Sequence, residues 1–276
     1  MSSEHFVVMP VNEFVKEAIR IVREAESKGI VIRILGALAI YIHSTHAPQA
    51  LEIYERVGRF GAGKPLFTDL DLVAYSKQRN KVMNFFEKEL GFKYDPLLRA
   101  LFVQKRLIYY HPRGFYNVDI FFDKLEFSHD VYFGDRPGGR LELDNPTITL
   151  ADILLEKLQI HKINLKDLVD LIILLYSHDL CEGSTECVDG KYVAKVLADD
   201  WGFWYDAKQN LEKVRMQVIK YAEESMIPNE LKNNVIRKID ELNNLIDAEP
   251  KSRKWLERAK IGTSKPWYRE VEEVVR

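Results

Sequence analysis

Thr68-Asp69-Leu70-Asp71-Leu72-Val73-Ala74-Tyr75 reads as a strand that opens on two acids and continues as an apolar run. Residues i and i+2 of a strand point to the same side, so Asp69 and Asp71 are expected to turn both carboxylates toward one cation. The bare pattern is common. With 42 acidic residues in 276, random placement gives roughly six acid-x-acid pairs. A solvated strand end, with Asp69 capping a turn, is the alternative, and the surrounding sequence has to decide.

Upstream, Ile30 to Leu35 is a β-branched run suited to a buried strand. Gly36 ends it, and Ala37 to Ile42 starts a helix whose first N–H groups are open to an anion. Downstream, Leu107 to Tyr110 and Phe115 to Phe122 flank His111-Pro112-Arg113-Gly114, the pattern of a hairpin. Asp119 lies inside the aromatic run Tyr116 to Phe122, where a carboxylate is costly to bury without a cation or donors. The rival reading makes Asn117, Asp119, Phe121 and Asp123 the exposed face of an edge strand, which Phe121 fits poorly. Three carboxylates suit Mg²⁺, which prefers oxygen ligands and keeps water and phosphate in its shell. Asp69, Asp71 and Asp119 are therefore both the expected metal ligands and the expected catalytic residues, with Asp119 beside the attacking hydroxyl.

The remaining pattern divides near residue 145. Phe14, Ala18, Ile21, Val22 and Ala25 form one helical stripe after Pro10. A helix is expected around Leu51 to Val57 and another over Lys77 to Leu90, with a further strand at about Leu98 to Val103. After Pro137-Gly138-Gly139 and Asn145-Pro146 the chain reads as helix throughout. Thr149 and Asn164 are expected N-caps for helices reaching Ile160 and Leu175. Others span Lys191 to Asp199, Ala207 to Glu224, Asn229 to Ile246 and Ser252 to Ala259. The expected fold class is α+β: an N-terminal domain, 1–145, with a mixed sheet, then an all-helical domain, 146–276.

A net charge of −2 argues against a protein that holds nucleic acid by its bulk field. No apolar run approaches the roughly 20 residues that span a bilayer, and Met1 to His5 has no basic lead into an apolar stretch. A cytoplasmic protein without membrane partners is expected. His178-x2-Cys181-x5-Cys187 offers three soft ligands, but structural zinc takes four from paired clusters. Two ordinary reduced cysteines are the expectation.

Leu35-Gly36-Ala37-Leu38-Ala39, Thr68-Asp69-Leu70-Asp71-Leu72, Asn117-Val118-Asp119-Ile120 and the helical Leu154-Leu155-Glu156-Lys157-Leu158 with Lys166-Asp167-Leu168-Val169-Asp170-Leu171 resemble, in order and spacing, the nucleotidyltransferase superfamily. The likeness is to its AbiEii-like branch, which includes toxins of type IV toxin–antitoxin pairs, and runs from Ile30 to about Leu175. It implies a nucleotidyltransferase fold and Mg²⁺-dependent transfer of a nucleoside monophosphate from NTP to an acceptor hydroxyl. The acceptor would be an RNA 3′ end such as tRNA, a protein or a small molecule. It implicates Gly36, Ala37, Lys157, Lys166 and Asp167 in nucleotide binding, with the helical domain completing that site. Two alternatives accompany it: a binding module of the same fold without turnover, and a toxin-type protein acting with an antitoxin partner.

The chain departs from the family pattern twice. Ala37 replaces a second glycine or serine, removing a hydroxyl contact to phosphate while leaving backbone donors. The arginine common before the paired acids is out of register, with Arg59 or Lys64 as substitutes. Lys166 with Asp170 also fits a plain i,i+4 surface pair. Trp201, Phe203, Trp204 and Tyr205 read as interdomain core, since no basic residue interleaves them. Lys251, Arg253, Lys254, Arg258, Lys260 and Lys265, beside Trp255 and Trp267, are expected either to contact RNA phosphates or to form a solvated helix face.

Overall fold

The computed structural model describes residues 9–61 and 63–271, so Met1 to His5 and Ala62 lie outside the described residues. The protein is α+β, with a small mixed sheet and a helical C-terminal region. The chain divides into two compact units that interleave in sequence: Met1–Ile42, Pro65–Lys124 and Tyr132–Ile148 form one, and His43–Lys64, Leu125–Val131 and Thr149–Arg276 the other.

In the first unit, α1 (Val11–Ser27) buries Phe14, Ala18, Ile21, Val22 and Ala25, the stripe read from the sequence. β1 (Ile32–Ile34) and α2 (Gly36–His43) follow; α3 (Pro48–Val57) belongs to the second unit. β2 (Asp69–Ala74), α4 (Arg79–Asn84), α5 (Pro96–Phe102), β3 (Arg106–Tyr110) and β4 (Asn117–Phe122) complete the sheet and its cover. Strand order is β1-β2-β4-β3. The β2–β4 pair is parallel and the two outer pairs are antiparallel. β2 and β4 are buried on both faces beyond their first residues, as central strands require. Their polar residues gather at their N-terminal ends.

β3 and β4 form the expected hairpin, closed where the His111 amide donates to the Tyr116 carbonyl (3.0 Å). The strand expected at Leu98 to Val103 is instead α5. Asp95 accepts from the Leu97 and Leu98 amides, and Pro96 fills a first-turn position whose N–H would have no helical partner. Lys77 to Leu90 breaks into a 3₁₀ turn, α4 and a π turn at Phe85–Glu89.

The boundary expected at 145/146 moves to 148/149. Residues 146–148 run beside β1: the Ile34 amide donates to Pro146 O and the Ile148 amide to Ile34 O, both at 3.0 Å. The break at Pro146 therefore lies inside the first unit. β5 (Lys124–Glu126) and β6 (Asp130–Tyr132) pair as a small separate ribbon.

The second unit is built on α6 (Leu150–Leu158), in which every residue is buried, the mark of a central helix. Thr149 and Asn164 cap α6 and α7 (Leu165–Ser177), accepting from the Asp152 and Asp167 amides as expected. After β7 (Leu180–Cys181) and β8 (Val188–Asp189) come α8 (Gly190–Asp199), α9 (Trp201–Glu223), α10 (Asn229–Ala248) and α11 (Arg253–Ala259). Asp200 caps α9 through the Phe203 amide, so the Trp201 to Tyr205 rings belong to its first turns.

The parallel β7–β8 pair corrects the all-helical expectation, and Cys181 and Cys187 correct the expectation of free thiols. They are joined in a disulfide, their Cα atoms 5.9 Å apart, within bridging range. Among the described residues, no helix is long and apolar enough to cross a membrane.

Candidate active site

The register of the two central strands sets Asp69 against Asn117 and Asp71 against Asp119. In-register neighbours share a face of the sheet, and so do i and i+2 on one strand. The three aspartates therefore stand on one face, at the start of β2 and β4. Asp69 and Asp71 are half-buried, and Asp119 is buried at 5% exposure.

Because β1 is antiparallel to β2, its C-terminal end lies at this same edge. The Leu35 amide donates to the Asp71 carbonyl (3.1 Å), tying the turn into α2 directly to the acid pair. Gly36 begins α2 at φ +73°, a left-handed conformation that glycine adopts without the Cβ penalty. Gly36 and Ala37 thus start a helix beside the carboxylates, at the end of the helix whose dipole favours an anion. Ala37 is 7% exposed and carries no hydroxyl.

All donors of this set are carboxylate oxygens, the hard ligands that Mg²⁺ takes, and the two half-buried aspartates retain access to solvent. Among the described residues, no three His, Cys, Asp or Glu side chains are closed around one cation position. Backbone register brings the aspartates to one face; a shared ion would require their side chains to turn toward it.

A second charged cluster lies within the helical unit. Lys157 on α6, 5% exposed, places Nζ 3.0 Å from Asp167 Oδ1 and 3.0 Å from Asp170 Oδ2, with Glu156 Oε1 at 3.8 Å. Arg59 donates to both Asp170 oxygens, from Nε at 2.8 Å and Nη2 at 3.2 Å. The Tyr54 hydroxyl also donates to Asp170. Burial opposes the Lys157 charge, but Asp170, Asp167 and Glu156 outweigh it and hold the ammonium well above the ordinary lysine range. Burial likewise pushes Asp170 up, and Lys157 and Arg59 reverse that and hold it low. Tyr54 is raised by burial and by Asp170, so it stays a donor.

Lys157 is therefore committed to Asp167 and Asp170, its ammonium used to hold α6 to α7. Arg59 binds Asp170. The i,i+4 surface pair of Lys166 with Asp170 does not form; Lys166 Nζ stands 5.9 Å from the Phe60 ring centroid.

The basic C-terminal stretch is largely committed too. Lys251 donates to Ile246 O and Glu249 O. Arg253 pairs with Glu257, and Lys254 lies 3.9 Å from Asp199. Arg258 holds the carbonyls of Gly262, Lys265 and Pro266. Its guanidinium also lies 5.2 Å over Trp201, which stacks on Tyr205 at 5.2 Å, so the rings form an internal cluster of the helical unit.

One polar node has no forerunner in the sequence reading. Asp206, 3% exposed, accepts from His129 Nε2 (2.7 Å), His161 Nδ1 (3.0 Å) and Trp267 Nε1 (3.0 Å). It anchors the C-terminal segment, whose Arg269 amide donates to Ser128 O (3.1 Å). An acid inside an amphipathic helix gives no local signal, because its three partners come from distant stretches.

Compared with known proteins, the chain matches no family model, no curated protein and no solved structure.

Proposed function

We propose that the first unit carries a Mg²⁺-dependent nucleotidyltransferase site formed by Asp69, Asp71 and Asp119. The carrying observation is the register that sets Asp71 beside Asp119 at the edge where Gly36 opens α2. Bound Mg²⁺ would neutralise charge on the triphosphate and on the leaving pyrophosphate. Asp69 and Asp71 would hold that cation. The α2 N-terminus at Gly36 and Ala37 donates backbone N–H groups to phosphate oxygens. Asp119 orients the acceptor hydroxyl and takes its proton as the oxygen bonds to the α-phosphorus; the bond from that phosphorus to the bridging oxygen breaks, and pyrophosphate leaves.

Within this reading Lys157 and Asp167 support the helical unit, and Lys166 is the lysine of the group still able to meet a phosphate. The carbonyl and carboxylate contacts of Lys251, Arg253, Lys254 and Arg258 argue against this stretch as an RNA-binding face. A small-molecule or protein hydroxyl is therefore the preferred acceptor class. The test is incubation of the full chain with α-labelled NTPs and Mg²⁺, scored for label transfer and pyrophosphate release. Transfer that disappears in Asp71→Asn supports the reading. The absence of both transfer and metal-dependent NTP binding would sink it.

Ala37 favours one alternative, a nucleotide-binding module without turnover. It predicts Mg²⁺-dependent NTP binding in the same assay and no pyrophosphate release.

A further inference from the structure

The sheet face that carries the acids does not end at Asp119. Across the β3–β4 pair, Ile108 lies opposite Asp119 and Tyr110 opposite Asn117, and Asn117 lies opposite Asp69 across β2–β4. Beyond β3, Lys93 pairs with Tyr110 in an isolated antiparallel bridge. The Lys93 amide donates to Tyr110 O at 3.0 Å, and the Tyr110 amide to Lys93 O at 2.8 Å. Directly opposed residues of paired strands put their side chains on one face. Asp69, Asn117, Tyr110 and Lys93 therefore form one row within the first unit, on the face of Asp71 and Asp119.

The row has a direction. Strand order β1-β2-β4-β3 puts the start of α2 on the β1 side of the acids and Tyr110 and Lys93 on the other, with Asp119 between. A triphosphate at the start of α2, its cation on Asp69 and Asp71, leaves β4 and β3 as the floor under the acceptor.

That floor is polar and uncommitted. Asn117 and Tyr110 are half-buried and Lys93 is exposed. Among the described residues, the Asn117 carboxamide, the Tyr110 hydroxyl and the Lys93 ammonium meet no hydrogen-bond or ion-pair partner. The acids nearest Lys93 in sequence are engaged elsewhere: Asp95 caps α5 through the Leu97 and Leu98 amides, and Glu89 pairs with Lys28 at 2.6 Å. A carboxamide and a phenol each offer a donor and an acceptor, while an ammonium only donates and brings a positive charge. The Tyr110 ring adds a flat apolar surface beside Ile108. Two strand spacings separate Lys93 from β4, about 10 Å.

Resting on the nucleotidyltransferase reading above, we infer that the acceptor is a hydroxylated small molecule bearing a phosphate or carboxylate. Its hydroxyl meets Asp119, its body lies over Ile108 and Tyr110 with polar contacts to Asn117 and the Tyr110 hydroxyl, and its anionic group pairs with Lys93. Asn117, Tyr110 and Lys93 are then acceptor-binding residues, and Lys93 sets the preference for charge.

The test offers the full chain α-labelled NTP, Mg²⁺ and a small-molecule cell extract split on an anion exchanger. Label is expected in compounds of the retained fraction. Phosphatase treatment of that fraction, with the phosphatase removed before assay, distinguishes a phosphate (acceptor lost) from a carboxylate (acceptor kept). Lys93→Gln should raise the amount of retained fraction needed for half-maximal transfer about five-fold, the size of one exposed ion pair, with the maximal rate little changed. Lys93→Arg should restore the parent value. Transfer to the unretained fraction or to macromolecules in place of the retained one overturns the inference, and so does a Lys93→Gln chain indistinguishable from the parent. A chain that binds NTP with Mg²⁺ yet labels no fraction overturns it too. A chain that binds no NTP fails earlier, at the nucleotidyl-transfer centre itself.

Discussion

Asp71 on β2 and Asp119 on β4 occupy one register position of a parallel strand pair, so two acids lie side by side on neighbouring strands. Like charges so placed repel across the pair. They are tolerable where a cation, or donors arranged as one, accompanies them. Asp71→Asn should therefore lower nucleotidyl transfer at least about 100-fold. The thermal midpoint should move by no more than about 2 °C, since Asp71 is half-buried. Parallel activity and melting measurements check this; a large fall in the thermal midpoint with transfer retained below it would make Asp71 structural.

Asp170 is the opposite case. Replacing it with Asn leaves Lys157 and Arg59 buried without their main counter-charge. Removing one partner of a buried ion pair costs about 3–5 kcal/mol, and urea unfolding should show a loss of that size. Lys166→Ala should cost less than about 0.5 kcal/mol, as a half-exposed side chain with no carboxylate partner. Equal effects from the two would contradict the described network.

Acid should loosen the C-terminal segment through Asp206. Burial pushes that carboxyl up, but hydrogen bonds from His129, Trp267 and His161 outweigh it and hold it below the ordinary carboxylate range. The folded value therefore lies under the unfolded one. The stabilisation is complete above about pH 4 and disappears as pH falls further, through the folded value. Asp206→Asn should flatten that part of the stability–pH curve. An unchanged acid limb would assign the loss to other carboxylates.

The Cys181–Cys187 bond closes a short loop, for which chain entropy gives about 2 kcal/mol. Cys181→Ser with Cys187→Ser should lower unfolding stability by that amount, and the parent chain should show no reactive thiol before reduction. Two thiols titrating in the native, unreduced protein would contradict the bond.

Much of the sheet was legible because strands and hairpins advertise themselves locally. The run after Asp71, the Pro/Gly turn at 111–114 and the capping residues Thr149 and Asn164 each act within a few positions. The Asp95-Pro96 start of α5 was equally local, and an apolar run of Leu98 to Val103 masked it. What stayed hidden is non-local. Asp170 draws on Tyr54, 116 positions away, and on Arg59, 111 away. Nothing in helical spacing around Lys157 or Lys166 reveals which lysine is buried. Of the candidate centre, the alternation of Asp69 and Asp71 could be read directly. The partnership of Asp71 with Asp119 needed the parallel pairing of β2 and β4.

The interleaving of the two units matters most while the protein is being made. The polypeptide passes between them five times before its final run from Thr149. Tyr54 leaves the ribosome 116 residues ahead of Asp170, an interval of roughly 6–23 s at ordinary synthesis rates of about 5–20 residues per second. Throughout that interval α3 carries an apolar face (Ala50, Ile53, Tyr54 and Val57) whose partner helix has not yet been translated. The nascent chain therefore presents a binding site for chaperones midway through its synthesis, and faster elongation would shorten the time it is exposed.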